Sequence, residues 1–183
     1  MTAIPTKLEG CFIIEPLVFK DERGYFMESF NERRFEKETG INAHFVQDNQ
    51  SFSTRGVLRG LHYQTGEHMQ AKLVSVLQGE VLDVAVDLRP GSKTYGEHVS
   101  IFLSGENKKQ FFIPRGFAHG FLVLSDTASF FYKCDNFYNK ESEGGIIFND
   151  KSLGIDWGMP GDELIISDKD KVLPSFENSR PVW

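Results

Sequence analysis

From Lys72 to Cys134 the chain is a succession of short apolar runs, each stopped by a turn. In Val81-Leu-Asp-Val-Ala-Val-Asp-Leu88, Leu82, Val84, Val86 and Leu88 share one face, and Asp83 and Asp87 fall on the other. That period of two is the signature of a strand. Gln78-Gly79 predicts a turn between it and a strand over Leu73 to Leu77. Val99 to Leu103, Gln110 to Ile113, Gly120 to Leu124 and Ala128 to Cys134 predict further strands. A single helix signal stands against them. Asn31 can cap Glu32 to Thr39, Gly40 can end it, and Phe30 and Phe35 occupy the two positions of a hydrophobic staple. Strand after strand with one helix means a β-sandwich or barrel, not a parallel α/β fold. The 17 phenylalanines suit such an interior, because broad rings pack across sheets. The 17 glycines and 7 prolines are spread evenly, with no linker or repeat, so residues 1–183 are expected to form one domain.

The charge balance narrows the partners. With 20 basic against 26 acidic residues the net charge is -6, which argues against a surface field for nucleic acid or anionic membrane. A single phosphorylated small molecule needs only a few local cations and stays open. Residues 1–10 hold no apolar run of a signal peptide, and no stretch approaches the ~18 apolar residues of a membrane span. Cys11 and Cys134 form no metal or redox motif and are expected to be buried free thiols, so the cytoplasm is the expected compartment.

Two segments carry chemistry. Arg59-Gly-Leu-His-Tyr-Gln64, followed by Lys72 and Gly79, and Pro114-Arg-Gly-Phe-Ala-His119 resemble the two halves of the cupin signature. Metal-binding cupins place His-x-His and a Glu in the first half, since two His at i, i+2 on a strand can share an ion. Here the pair is His62 and Gln64, and Lys72 stands in the place of the Glu. An ammonium repels a cation. The resemblance therefore implies an all-β cupin-type double-stranded β-helix, a jelly-roll barrel with a few short helices, and at the same time no metal. A fixed ammonium in a dry barrel can instead hold an oxyanion. A base nearby then suggests proton abstraction next to a carbonyl. His62 is the natural base, its ordinary pKa lying near the operating pH.

A fuller resemblance is to the dTDP-4-dehydrorhamnose 3,5-epimerases, and it covers nearly the whole chain. Its pieces run in order: Asp21-Glu-Arg-Gly-Tyr-Phe-Met-Glu28, Phe45-Val-Gln-Asp-Asn-Gln-Ser51, Gly56 to Gln64, Lys72-Leu-Val, Gly79 to Arg89, Ile113 to Phe121, Tyr132-Lys-Cys134 and Ser167-Asp-Lys-Asp170. This resemblance implies His62 as the base, Asp170 as the carboxylate that orients it, Tyr132 as the acid on the opposite face and Lys72 as the enolate partner. It implies Arg23, Glu28, Gln47, Asn49 and Arg59 as contacts to nucleotide and diphosphate, and His119, Glu143 and Lys169 as further substrate contacts. Phe26 and Tyr138 are implied as flanking aromatic rings. The implied substrate is a dTDP-linked 4-keto-6-deoxy sugar, with no cofactor, and the implied assembly is a homodimer. No G-x-G-x-x-G fingerprint of a nicotinamide enzyme is present, and epimerisation needs none.

Plainer readings stand beside these. A lone His is more often structural; His62 gains from Arg59, Gln64 and Lys72, whereas His44, His68 and His98 have no such company. His119 could simply hold the loop after Pro114. Tyr132 in Phe130-Phe-Tyr132 could be core, and Lys72 could lie on an exposed edge. On a regular strand Arg59 would face away from His62; a bulge at Gly60 would re-aim it. Rival functions are a 3-epimerase, a 5-epimerase, a 3,4-ketoisomerase, a metal-dependent cupin enzyme and a non-catalytic sugar-binding cupin.

Overall fold

The computed structural model describes residues 1–183. One sheet runs, edge to edge, β1 (Thr2–Pro5), β2 (Phe12–Glu15), β10 (Gln110–Ile113), β7 (Lys72–Gln78), β12 (Thr127–Cys134) and β5 (Gln47–Thr54). The second runs β13 (Glu143–Gly145), β6 (Val57–Gln64), β11 (Phe117–Val123), β8 (Glu80–Asp87) and β9 (His98–Ser104). A short β14 (Ile165–Ile166) lies parallel to the start of β6. Apart from β3 (Val18–Asp21) and β4 (Gly24–Met27), which form a separate hairpin, the strands close a cupin-type jelly roll. The expected strands are all present. β11 begins at Phe117 rather than at Gly120, because the Pro114–Gly116 turn delivers it straight to β8, where Phe117 pairs with Asp87.

Alternation sorts each strand's residues between barrel and exterior. Val74, Val76, Phe111, Ile113 and Phe130 of the first sheet meet Val81, Ala85, Leu103, Phe117, Phe121 and Val123 of the second in one buried cluster. The other face of β8 and β11, with Leu82, Val84, Val86 and Leu122, is covered by Leu153, Trp157 and Val182 from the C-terminal segment. Both faces of β8 are thus buried, and Asp83 and Asp87 point into the protein with no exposure at all. A buried carboxylate must be paired, and each of these is: Asp83 to His119, and Asp87 to Arg89, Ser92 and Thr94.

The helix α1 (Glu32–Thr39) forms as its signals predict. Asn31 Oδ1 accepts from Arg34 N at 3.1 Å, and Gly40, at φ 73°, donates its N–H to Glu36 O at 2.8 Å. Phe30 and Phe35 pack at 5.9 Å between centroids. Phe35 then buries itself against Ile14, Leu73 and Phe112, covering the outside of the first sheet. Burying one such ring contributes about 1.5–3 kcal/mol.

Candidate active site

The mouth of the barrel is polar because several strands place a polar residue on their inner faces there. β7 contributes Lys72 and β12 contributes Tyr132, in step with the core residues Val74 and Phe130. β11 contributes His119, and β8 contributes Asp83. On β6, His62 pairs with His119, whereas Arg59 pairs with Phe121. Between these pairs, two residues of β6, Gly60 and Leu61, therefore oppose the single Gly120 of β11. The expected bulge is there, and it turns Arg59 to the same side as His62. The sequence permits it through two glycines. A Cβ on Gly60, which sits at φ 122°, would lie 2.6 Å from the Gly120 Cα and 2.8 Å from the His119 carbonyl oxygen. A Cβ on Gly120 would come within 2.7 Å of the Arg59 carbonyl oxygen. The two backbones can approach this closely only where neither residue has a side chain.

His62 Nε2 lies 2.7 Å from Asp170 Oδ1, so the free ring nitrogen is Nδ1. Asp170 Oδ2 accepts from the bulged Gly60 N–H at 3.3 Å. Asp170 itself is held by the single-turn helix α2 (Asp168–Lys171), whose cap Ser167 accepts from Asp170 N at 3.1 Å. Burial pushes the Asp170 carboxyl upward, but the bond and charge of His62, the Gly60 N–H and Ser167 outweigh it and hold the group below the usual carboxylate range. A second pair lies deeper, with His119 Nε2 2.9 Å from Asp83 Oδ2. Burial lowers the His119 pKa against the pull of Asp83, and the charges of Lys72 and His62 lower it further. Burial also lowers the Lys72 pKa, opposed by Cys134 and Asp83. It raises the Tyr132 phenol, an effect that Cys134 reinforces and Arg59 opposes. Lys72 Nζ stands 5.7 Å from the Tyr132 ring centroid. Phe121 and Phe130 stack at 4.1 Å beneath them and make a dry floor.

The space has two lobes that share His62, Lys72, Tyr132 and Lys169. The larger, about 700 Å³, is lined also by Asn49, Arg59, His119 and Asp170. The smaller, about 410 Å³, is lined by Tyr138 and Glu143, and Glu143 pairs with Lys169 at 2.7 Å. Gln47 sits behind the rim, bonded to Asn49 and to the Tyr138 N–H. Arg23, Phe26 and Glu28 are not brought to this space. Arg23 pairs with Asp21 at 2.5 Å on the hairpin tip, Phe26 is 70% exposed beside it, and Glu28 bonds Asn31 and Arg34. Gln64 is turned to the loop, where its side-chain oxygen accepts from Asn139 N at 2.8 Å. The structure contains no group of three or more His, Cys, Asp or Glu side chains arranged to hold a metal ion.

Comparison with known proteins decides the family. The family model described as dTDP-4-dehydrorhamnose 3,5-epimerase matches residues 5–178. The chain belongs to the dTDP-4-dehydrorhamnose 3,5-epimerase family. A Shigella flexneri protein of that name is 55% identical over 170 residues, 93% of each chain. The Elizabethkingia anophelis epimerase structure is 61% identical, with a TM-score of 0.94 and 97% of each chain covered. A Legionella pneumophila epimerase, solved in complex with dTDP-4-keto-L-rhamnose, is 52% identical with a TM-score of 0.93, covering 97% of this chain and 93% of that one.

Within this epimerase fold, four site features were not singled out in the sequence. Asp83 was readable as lying on one face of β8, but not that the face looks inward. Ser167 is an ordinary cap signal ahead of Asp168. Gly120 signals only through its partner Gly60, across the sheet. Ser53 has no local signal at all.

Proposed function

We propose that the chain is a dTDP-4-dehydrorhamnose 3,5-epimerase, converting dTDP-4-dehydro-6-deoxy-D-glucose to dTDP-4-dehydro-L-rhamnose for L-rhamnose biosynthesis. The observation that carries this reading is the His62–Asp170 pair and Tyr132 entering one cavity from opposite sheets, with Lys72 beside them. C3 and C5 both neighbour the C4 carbonyl, so one device serves both centres. Asp170 holds the proton on Nε2, which leaves Nδ1 of His62 to take the proton from carbon. The electron pair moves to the carbonyl oxygen, where the Lys72 ammonium stabilises the enolate. Tyr132 then gives its phenolic proton to the opposite face of the same carbon, and the configuration inverts. Proton exchange with solvent resets the imidazole and the phenol. Its raised pKa keeps Tyr132 protonated for this task. No net oxidation occurs, and the proposed mechanism uses no cofactor.

Asn49 and Arg59 of the larger lobe are assigned to the nucleotide and diphosphate, with Tyr138 of the smaller lobe beside the base and Glu143 and Lys169 as further substrate contacts. Arg23, Phe26 and Glu28 complete this nucleotide site if they come from a second copy. Phe19 and Phe26 on the hairpin are 59% and 70% exposed, as surfaces that dock elsewhere would be. The reading therefore includes a homodimer that exchanges hairpins. It also places the enzyme in the cytoplasm; no helix is long and apolar enough to cross a membrane, and both cysteines are free and buried.

NMR in deuterium oxide tests the reaction. Deuterium is expected at both C3 and C5 of the product; label at one centre only would make it a mono-epimerase. His62→Ala should abolish exchange at both carbons while ligand still binds, a loss of about 10²–10⁴ in rate. Tyr132→Phe should slow stereochemical completion more than the first exchange. Equal loss of both would remove Tyr132 from that role.

A further inference from the structure

Ser53 does not line the cavity; it stands behind a residue that does. Arg59 Nε and Nη2 both donate to Ser53 Oγ, at 3.3 and 3.1 Å. Ser53 is only 6% exposed. It is the third inward residue of β5 after Asn49 and Ser51, which themselves line the larger lobe. Four other arginines are held by carboxylates, Arg23 by Asp21, Arg34 by Glu28, Arg89 by Asp87 and Arg115 by Asp135, while Arg55 and Arg180 donate to the main-chain carbonyls of Leu124 and Glu141. A carboxylate orients a guanidinium and also neutralises it. A hydroxyl orients it and leaves its charge intact. Ser53 engages the Nε–Nη2 edge of the fork, so the Nη1–Nη2 edge is left to grip an anion bidentately.

We propose that Ser53 is a positioning residue, whose hydroxyl holds the Arg59 guanidinium, un-neutralised, against the cavity as the cradle for the substrate's diphosphate. The inference rests on the epimerase reading and deepens it. The bulge at Gly60 and the hydroxyl of Ser53 act in series: the first turns the Arg59 side chain inward, and the second fixes its head group. The guanidinium also lies near enough to Tyr132 to pull against the burial that raises the phenol, so its placement reaches the proposed acid as well.

The test compares wild type, Ser53→Ala and Ser53→Thr by steady-state kinetics and by calorimetric titration with thymidine diphosphate. In Ser53→Ala, KM and the Kd for thymidine diphosphate should both rise roughly tenfold, as for loss of one hydrogen bond to a charged group, with kcat changed far less. Ser53→Thr, which keeps the hydroxyl, should restore binding. Ser53→Cys keeps the volume with a poor acceptor and serves if the alanine variant unfolds. Unchanged thymidine diphosphate affinity in Ser53→Ala would overturn the proposal. So would equal loss in the threonine variant, which would make the role one of packing. Should the wild type exchange no carbon-bound protons, the epimerase reading fails, and the thymidine diphosphate titration still decides whether Ser53 organises an anion site.

Discussion

At the scale of single residues, burial moves two groups of the site in opposite directions, and this makes the alkaline limb of activity assignable. In the proposed mechanism the enolate needs Lys72 as a cation and Tyr132 as an acid. The Lys72 pKa lies below the usual lysine value, so it loses its charge earlier than an exposed lysine as the pH rises. Tyr132 must keep its proton, and its pKa lies above the usual phenol value, so it is lost later. We assign the first fall of kcat/KM on the alkaline side to Lys72, and substitution separates it from Tyr132. In Lys72→Arg, whose guanidinium does not titrate in this range, residual activity should persist to higher pH than in wild type. A pH–rate profile checks this, and an unmoved limb would assign the fall to another group. The position of Lys72 on the cavity was legible because the ammonium stands where a metal ligand would in a related pattern. The partner of His119 was not legible. Asp83 is separated from it by 36 residues, and only the β8–β11 register, which sets Phe121 opposite Asp83, brings them together.

At the scale of elements, the turn after β8 shows how a buried charge is made structural. Asp87 is fully buried and accepts from Arg89, Ser92 and Thr94. Burial alone would raise its pKa, but these bonds take it from the ordinary 3.8 to about 2. A carboxylate lowered in this way stabilises the fold fully above the unfolded value and loses that contribution as the pH falls through the folded one. The linkage amounts to roughly 2 kcal/mol at neutral pH. Asp87→Asn should therefore lower Tm at pH 7, and the deficit should shrink as the pH is brought from 4 towards 2 (about the two pKa values). Thermal melts across that range check it, and a deficit independent of pH would mean that geometry, not charge, is what Asp87 supplies. Elements with a strict period or a complete set of caps, β8 and α1 among them, could be read directly from the chain. β5 could not: Gln47-Asp-Asn-Gln-Ser-Phe-Ser-Thr54 is polar on both faces apart from the exposed Phe52, because one faces the site and the other is an exposed sheet surface. The bulge in β6 was legible only as a need, since Arg59 and His62 had the wrong spacing for a shared face and Gly60 offered the remedy.

At the scale of the whole molecule, the hairpin of β3 and β4 decides what a complete site is. All the residues expected to act on the sugar gather inside one barrel, while Arg23 and Phe26 stand outside it on a hairpin whose two strands pair only with each other. If each hairpin serves its own barrel, a chain lacking Arg23 and a chain lacking His62 can never help one another. If hairpins are exchanged between two copies, a mixed dimer has one site with both residues intact. Arg23→Ala and His62→Ala, each inactive or nearly so alone, should on unfolding and refolding together in equal amounts regain about one quarter of wild-type activity, since half the dimers are mixed and each has one good site of two. Activity recovered in the mixture assigns the hairpin to the neighbouring subunit. Two pure dimers mixed without subunit exchange should recover none, which separates complementation from contamination. No recovery from dimers shown by native mass spectrometry to be mixed would return Arg23 to its own chain, and would require the hairpin to fold over the cavity on binding.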